Sequence, residues 1–270
     1  MAKYNKLVGK HIVVIGGTRG VGRGVVEASL ESGARVTLAG SSQSSADAAV
    51  ASIKTEYPDT TSTTTALIGL GCDLSQSTVE ADLDALLTCA AELNGEIDHI
   101  VYTAADNLSL GSLQDVTGDL AMRAAHMRFL VPVLVGKLAQ RYLGSGVAEG
   151  KRRDKSLVLT TGSIASKPLA GWSIIAYFGV GLKGLTRNLA LDLSPVRVNA
   201  VEMGIVNTGL WDSSYQSVEE REAALNKMCA RLPVGRPGAV EDVVEAYMYL
   251  LRDANATGEV VRTRGGQHLI

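Results

Sequence analysis

Apolar residues along this chain fall into two alternating patterns. Short runs rich in Val, Ile and Leu lie at His11–Ile15, Arg35–Ala39, Ala66–Cys72, His99–Thr103, Ser156–Thr160, Arg197–Val201 and about Glu259–Thr263. Most are apolar throughout, as parallel strands buried on both faces must be. Between them lie stretches with the wider spacing of helices: Val21–Ser32, Val79–Leu93, Leu120–Tyr142, Ile174–Leu193 and Val240–Arg252. Strand–helix alternation of this kind predicts an α/β fold, a doubly wound parallel sheet of seven strands with helices on both faces.

Two stretches break the rhythm. Ser41 to Thr65, rich in Ser, Thr and Ala, predicts a helix around Ser45–Tyr57 and then a loop. Gly204 to Pro237 is a long insertion before the last strand and carries Trp211, Tyr215, Met228 and Cys229. Insertions at the carboxyl edge of such a sheet often cover substrates, so 204–237 is a candidate lid. The 270 residues are expected to form one domain.

Composition narrows the function classes. A formal net charge of −2 gives no electrostatic case for nucleic acid or an anionic membrane. The one dense basic cluster, Lys151, Arg152, Arg153 and Lys155, falls between an expected helix and strand and reads as a solvated loop. Cys72, Cys89 and Cys229 are odd in number and widely spaced, so neither a disulfide framework nor a metal site is expected. The N-terminal apolar run has strand length, and no run approaches the roughly 20 residues that span a bilayer. A soluble cytoplasmic protein acting on a small molecule is the expectation.

Candidate chemistry begins at Gly16-Gly17-Thr18-Arg19-Gly20-Val21-Gly22, which follows the first strand and opens a helix. Glycines there allow a tight turn and close approach of backbone to a pyrophosphate, and the helix N-terminus supplies N–H donors. The sheet is therefore expected to be Rossmann-type. About twenty residues on, where NAD binders place a carboxylate on the ribose, the second strand ends Leu38-Ala39-Gly40-Ser41-Ser42. With no carboxylate there, Arg19, Ser41 and Ser42 are expected to receive a 2′-phosphate, which favours NADP(H).

These pieces resemble the short-chain dehydrogenase/reductase family across nearly the whole chain. Gly16–Gly22 is similar to its TGxxxGxG turn, with Ile15 in place of the threonine. Cys72-Asp73-Leu74 resembles its adenine contact, and Tyr102-Thr103-Ala104-Ala105 stands where the family carries NNAG. Gly204-Ile205-Val206-Asn207-Thr208 resembles the loop that holds the nicotinamide amide and phosphates, with Met203 replacing the usual proline. The resemblance thus implies cofactor contacts at Gly16, Thr18, Arg19, Gly20, Val21, Gly22, Asp73, Leu74, Ala104, Gly204, Val206 and Thr208. It also implies a homo-oligomer, often a tetramer built through the fourth and fifth helices and the C-terminal segment.

The family's reductive site implies an Asn, a Ser, a Tyr and a Lys, the Tyr protonating the carbonyl oxygen as hydride reaches carbon. Aligned on Gly184-Leu185-Thr186, the Tyr and Lys positions hold Ile175 and Gly179. Ser163 is retained, and the Asn position falls on Arg128. Tyr177 lies about 200° around a helix from Ile175 and is expected to face away. Lys183 is expected on the surface.

A ketone that accepts hydride needs a proton, whereas an iminium does not. A site without the acid suits a cationic electrophile, and Asp106 and Arg128 are expected to flank one at the carboxyl edge of the sheet. This combination resembles a fungal group of short-chain reductases that are bifunctional NADPH-dependent reductase/Diels–Alderases of bicyclic prenylated-indole alkaloid pathways. That resemblance implies reduction of an iminium or zwitterion followed by an intramolecular [4+2] cycloaddition. Trp172 would then supply an aromatic wall, with Trp211 and Met203 as further walls. Two other readings stay open: a carbonyl reductase using Ser163 or an Arg128-held water as acid, and a nucleotide-binding protein without turnover.

Overall fold

The computed structural model describes residues 3–58, 66–106, 111–144 and 149–270. Seven parallel strands form one sheet in the order β3-β2-β1-β4-β5-β6-β7. They are β1 (His11–Ile15), β2 (Arg35–Gly40), β3 (Leu67–Gly71), β4 (His99–Tyr102), β5 (Ser156–Gly162), β6 (Arg197–Met203) and β7 (Val260–Thr263). The chain order reverses between β1 and β4, the crevice where doubly wound sheets bind ligands.

Each inner strand buries residues on both faces, which is why the apolar runs were continuous. Val13, Ile15, Ile100, Leu157 and Val198 meet α3 (Val79–Asn94), α5 (Val131–Ala139) and α7 (Ser173–Asp192). Ile12, Val14, Val101, Val158 and Val201 meet α1 (Gly20–Glu31), α2 (Gln43–Glu56) and α9 (Val240–Arg252). Burying each of these side chains contributes about 1.5–3 kcal/mol. The remaining helices are α4 (Gly118–Ala125), the short α6 (Glu149–Arg152) and α8 (Val218–Cys229).

Two expectations change, and the candidate lid acquires defined elements. The helix expected over Leu120–Tyr142 is α4 and α5 joined by a π turn, His126–Leu130, with a second π turn at Gln140–Gly144. The insertion 204–237 is ordered into a 3-10 turn, Gly209–Ser214, and α8. In the basic cluster, Lys155 is not solvated: it is 2% exposed, and its Nζ lies 2.9 Å from Glu96 Oε1. The loop expected at the end of Ser41–Thr65 falls mostly outside the described residues. No described helix is long and apolar enough to cross a membrane.

Candidate active site

A cleft opens at the β1/β4 crevice. Gly16 turns the chain out of β1 at φ +92°, and Thr103 N and Ala104 N donate to Ile15 O at 2.9 and 3.0 Å. Gly22 packs so tightly that a Cβ there would lie 2.1 Å from Gly16 O and 2.5 Å from Thr103 Oγ1. Only glycine allows that approach.

The N-terminus of α1 opens on this cleft with no side-chain cap and no acidic residue in its first turn. Its N–H groups are left for a ligand, and the dipole end favours an anion. α2 differs: Ser42 accepts from Ser45 N at 3.2 Å, and Ser45 Oγ accepts from Ser42 N at 3.2 Å. A diphosphate therefore fits α1, whose cap is absent, and not α2.

Gly16, Thr18, Arg19, Gly20, Val21, Gly22, Ser41, Asp73, Leu74, Ala104 and Thr208 all line the cleft. Ser42 does not; its hydroxyl serves the α2 cap, and Ser45 lines the cleft in its place. Arg19 is exposed. The Asp73 carboxylate already accepts from Ser75 Oγ (2.7 Å), Ser75 N (3.0 Å) and Gln76 Nε2 (2.6 Å), and these bonds hold its pKa below the usual carboxylate range.

A second, deeper pocket adjoins the cleft. Thr103, Ala104, Ala105, Met127, Thr160, Met203, Thr208 and Leu210 line both. Gly204 and Val206 line this pocket and not the cleft. At the seam, Arg128 Nη2 lies 2.5 Å from Asp106 Oδ1 and donates to Asp106 O at 3.3 Å. Burial raises the Asp106 pKa above the ordinary carboxylate value even though the guanidinium pulls it down. Arg128 sits inside the π turn, whose extra residue per turn changes the direction of side chains relative to a regular helix.

The pocket wall facing this pair is α7 and the loop before it. Ser163 is buried at the rim of a 3-10 turn, and Ile175 and Gly179 both line the pocket. Thr161 Oγ1 donates to Gly179 O at 3.1 Å and occupies the space beside that glycine. A Cβ at 179 would stand 3.3 Å from Ala165 Cβ and 3.4 Å from Thr161 Oγ1. Tyr177 is 74% exposed, stacked edge-on against Phe178 with ring centroids 5.2 Å apart.

Lys183 departs from expectation. It is not a surface residue: its Nζ pairs with the fully buried Glu202 and donates to Ser166 Oγ at 2.6 Å. The buried carboxylate near the end of β6 is also met by Arg264 Nη1, 2.7 Å from Glu202 Oε1, and by the half-exposed Arg262, whose Nε lies 4.0 Å from Oε2. Apolar walls complete the pocket. The Trp172 and Trp211 rings sit 6.2 Å apart, tilted by 52°, and Trp211 Nε1 donates to Val206 O at 3.0 Å.

The family model described as an SDR-like Rossmann domain matches residues 3–270. The chain belongs to the short-chain dehydrogenase/reductase family. The short-chain dehydrogenase/reductase fsr5 of Gibberella fujikuroi is 35% identical over 269 residues, covering 98% of this chain and 97% of that protein. The short-chain dehydrogenase/reductase malC of Malbranchea aurantiaca is 37% identical over 265 residues, covering 97% and 96%. The solved structure of the MalC reductase/Diels-Alderase from that organism superposes with a TM-score of 0.87 at 36% identity, covering 99% of each chain.

Within this family member, two features of the site left little trace in the sequence. Glu202 stands between Val201 and Met203 near the end of β6, and a carboxylate at that point of a buried strand was the available signal. Gln267 lies near the C-terminus yet is 7% exposed and lines the pocket. Nothing in the local sequence marks it, because its burial comes from contacts with residues far away along the chain.

Proposed function

We propose that this short-chain dehydrogenase/reductase is an NADPH-dependent reductase of a cationic, iminium-type substrate. One observation carries the reading. The pocket beside the cofactor cleft presents Ile175 and Gly179 where a carbonyl reductase needs its proton donor and that donor's lysine partner. When bound, the nicotinamide cofactor supplies the hydride. The α1 N-terminus binds the diphosphate, and Arg19 with Ser41 and Ser45 receives the 2′-phosphate. No carboxylate stands at the end of β2 to take a ribose 2′-hydroxyl instead.

Asp106 stabilises the cation at the seam between cleft and pocket, and Arg128 holds that carboxylate in place. An iminium carbon that gains hydride becomes a neutral amine, so no proton is required there. Segment 204–237 acts as the lid: Leu210 borders both cleft and pocket, and Trp211 closes on Trp172. A dry aromatic pocket of this kind also suits a subsequent intramolecular [4+2] cycloaddition, in which the protein only fixes geometry. The similarity to malC, named as a reductase/Diels-Alderase, supports that extension. Exposed Met122, Phe129, Tyr177 and Val180 on α4, the π turn and α7 form an apolar face suited to a second copy of the chain.

The test pairs a permanent cation with a ketone of similar shape: N-methyl-3,4-dihydroisoquinolinium against 1-tetralone, each with NADPH. Turnover of the cation alone is expected. Ser163, buried and facing the pocket, favours a second reading in which it donates a proton to a ketone. Tetralone reduction that disappears in Ser163→Ala would establish that second reading in place of the first.

A further inference from the structure

Residues 264–270 form a segment held by several contacts to the rest of the fold. Gly265 and Gly266 turn it at φ +56° and +79°, close against Val234 and Pro233. Arg264 is tied to the buried Glu202. Gln267 N donates to Arg264 O at 3.0 Å, and Lys167 Nζ donates to Gln267 O at 3.1 Å and also reaches Ile270 O. Lys167 itself belongs to the Ser163 turn, since its N donates to Ser163 O at 2.9 Å. Both backbone groups of Gln267 are therefore committed.

Its side chain is not. Gln267 lines the pocket, and its carboxamide oxygen Oε1 is buried with no hydrogen-bond partner in the protein. Leaving such an acceptor unpaired is costly, since it has given up water and gained nothing in exchange. Most other hydroxyl and N–H groups on the pocket wall are already used. Thr160 bonds Tyr247 at 2.8 Å, Thr161 bonds Gly179 O at 3.1 Å, Tyr102 bonds Met127 O at 3.3 Å and Trp211 bonds Val206 O at 3.0 Å.

We propose that Gln267 is a specificity-determining residue whose carboxamide oxygen accepts a hydrogen bond from an N–H group of the substrate. The occupant is a planar aromatic N–H compound. Trp172 and Trp211 supply aromatic surface in this pocket, and Gln267 supplies a buried acceptor left without a partner in the protein for such a ring nitrogen. A site built with a buried acceptor rejects the analogue that lacks the donor, because the acceptor then stays unpaired. This deepens the iminium reading by naming a second recognition element, and it does not require the substrate to be cationic.

The experiment measures binding by calorimetry to the protein with NADP⁺ present. Two matched pairs serve as probes: tetrahydrocarbazole with its 9-methyl derivative, and the permanently cationic 2-methyl-3,4-dihydro-β-carbolinium with its 9-methyl derivative. Within each pair only the N–H changes. Wild-type protein is expected to bind the N–H member about tenfold more tightly, the size of one hydrogen bond to a buried acceptor. Gln267→Glu keeps an acceptor and should keep the preference. Gln267→Met keeps the shape, removes the acceptor and should bring the two members to near-equal affinity. Equal binding of both members by wild type, a preference that persists in Gln267→Met, or no binding of either pair overturns the proposal. Should Gln267→Met fail to fold, the wild-type and Gln267→Glu measurements still decide. Comparison across the pairs reports separately on the iminium reading, which fails if the β-carbolinium binds no better than the neutral carbazole.

Discussion

Asp106 and Arg128 are 2.5 Å apart at the seam of cleft and pocket, and burial and pairing act on the carboxyl in opposite directions. The proposed role needs Asp106 ionised. Its pKa lies above the ordinary carboxylate value, so turnover of an iminium should fall in acid at a higher pH than an exposed aspartate would give. A pH profile of kcat/KM checks this, and Asp106→Asn should lower kcat/KM about tenfold or more and remove that acid limb. The resemblance puts Arg128 at the family's Asn position, but its direction depends on the π turn, which no local pattern announced. Gly179 carries a separate lesson. A Cβ there would stand 3.3 Å from Ala165 Cβ and 3.4 Å from Thr161 Oγ1, so a lysine enters only if these neighbours give slightly. The double variant Ile175→Tyr, Gly179→Lys is accordingly expected to leave iminium turnover no higher than wild type and to confer little tetralone reduction, read as NADPH oxidation.

Among the elements, α1 binds through what it lacks. Its uncapped N-terminus faces a turn held by Gly16 and Gly22, so the cofactor site depends on two residues having no side chain. Gly22→Ala places a Cβ 2.1 Å from Gly16 O, and the turn must move. NADPH affinity should drop more than tenfold, measured by energy transfer from tryptophan to the nicotinamide. Both tryptophans of the chain line the pocket, which makes that signal local. α7 is joined to β6 and the C-terminal segment through Glu202, a carboxylate with 0% exposure bound to Lys183 and Arg264. Breaking a buried pair on one side strands a charge and costs about 3–5 kcal/mol. Glu202→Leu, which strands two cations, should lower the denaturation midpoint strongly. Lys183→Met leaves Arg264 in place and should cost less.

At the scale of the molecule, the amino end of the sheet holds two imidazoles that fold in the neutral form. His11 bonds the Gly95 carbonyl and the Thr37 hydroxyl, each at 2.8 Å, and burial lowers its pKa to about 4. His99 is lowered by burial to about 3. The unfolded chain takes up protons at these sites below about pH 6.5, while the native state resists until pH 4 and pH 3. Stability should therefore hold above about pH 7 and decline from there to about pH 3, by on the order of a few kcal/mol per histidine. Urea midpoints across that range test it, and His11→Asn should flatten part of the slope. The apolar face on α4 and α7 predicts a self-associated species in sedimentation, weakened by Tyr177→Glu with Phe129→Glu.

Much of this was legible in the chain because it rests on local rules. Continuous apolar runs such as Ile12–Ile15 and Leu157–Leu159 specify parallel strands by themselves, since burial on both faces demands them. The Gly16–Gly22 turn specifies the cofactor end in the same way, through backbone conformation. Ile175 and Gly179 are read through the family resemblance, aligned on Gly184-Leu185-Thr186. Other features are decided only when distant segments meet. The partner of Lys183 is Glu202, nineteen residues along and on another element, and Lys155 becomes buried only because Glu96 and Ile97 come to it. Gln267 enters the pocket only because Lys167, Arg264 and the Pro233–Val234 turn converge on the last residues of the chain. Sequence fixes what each segment prefers, because conformational preference and periodicity are local. Burial of a charge, the direction of a side chain and the loss of its last partner depend on packing between segments, and tertiary structure alone decides them.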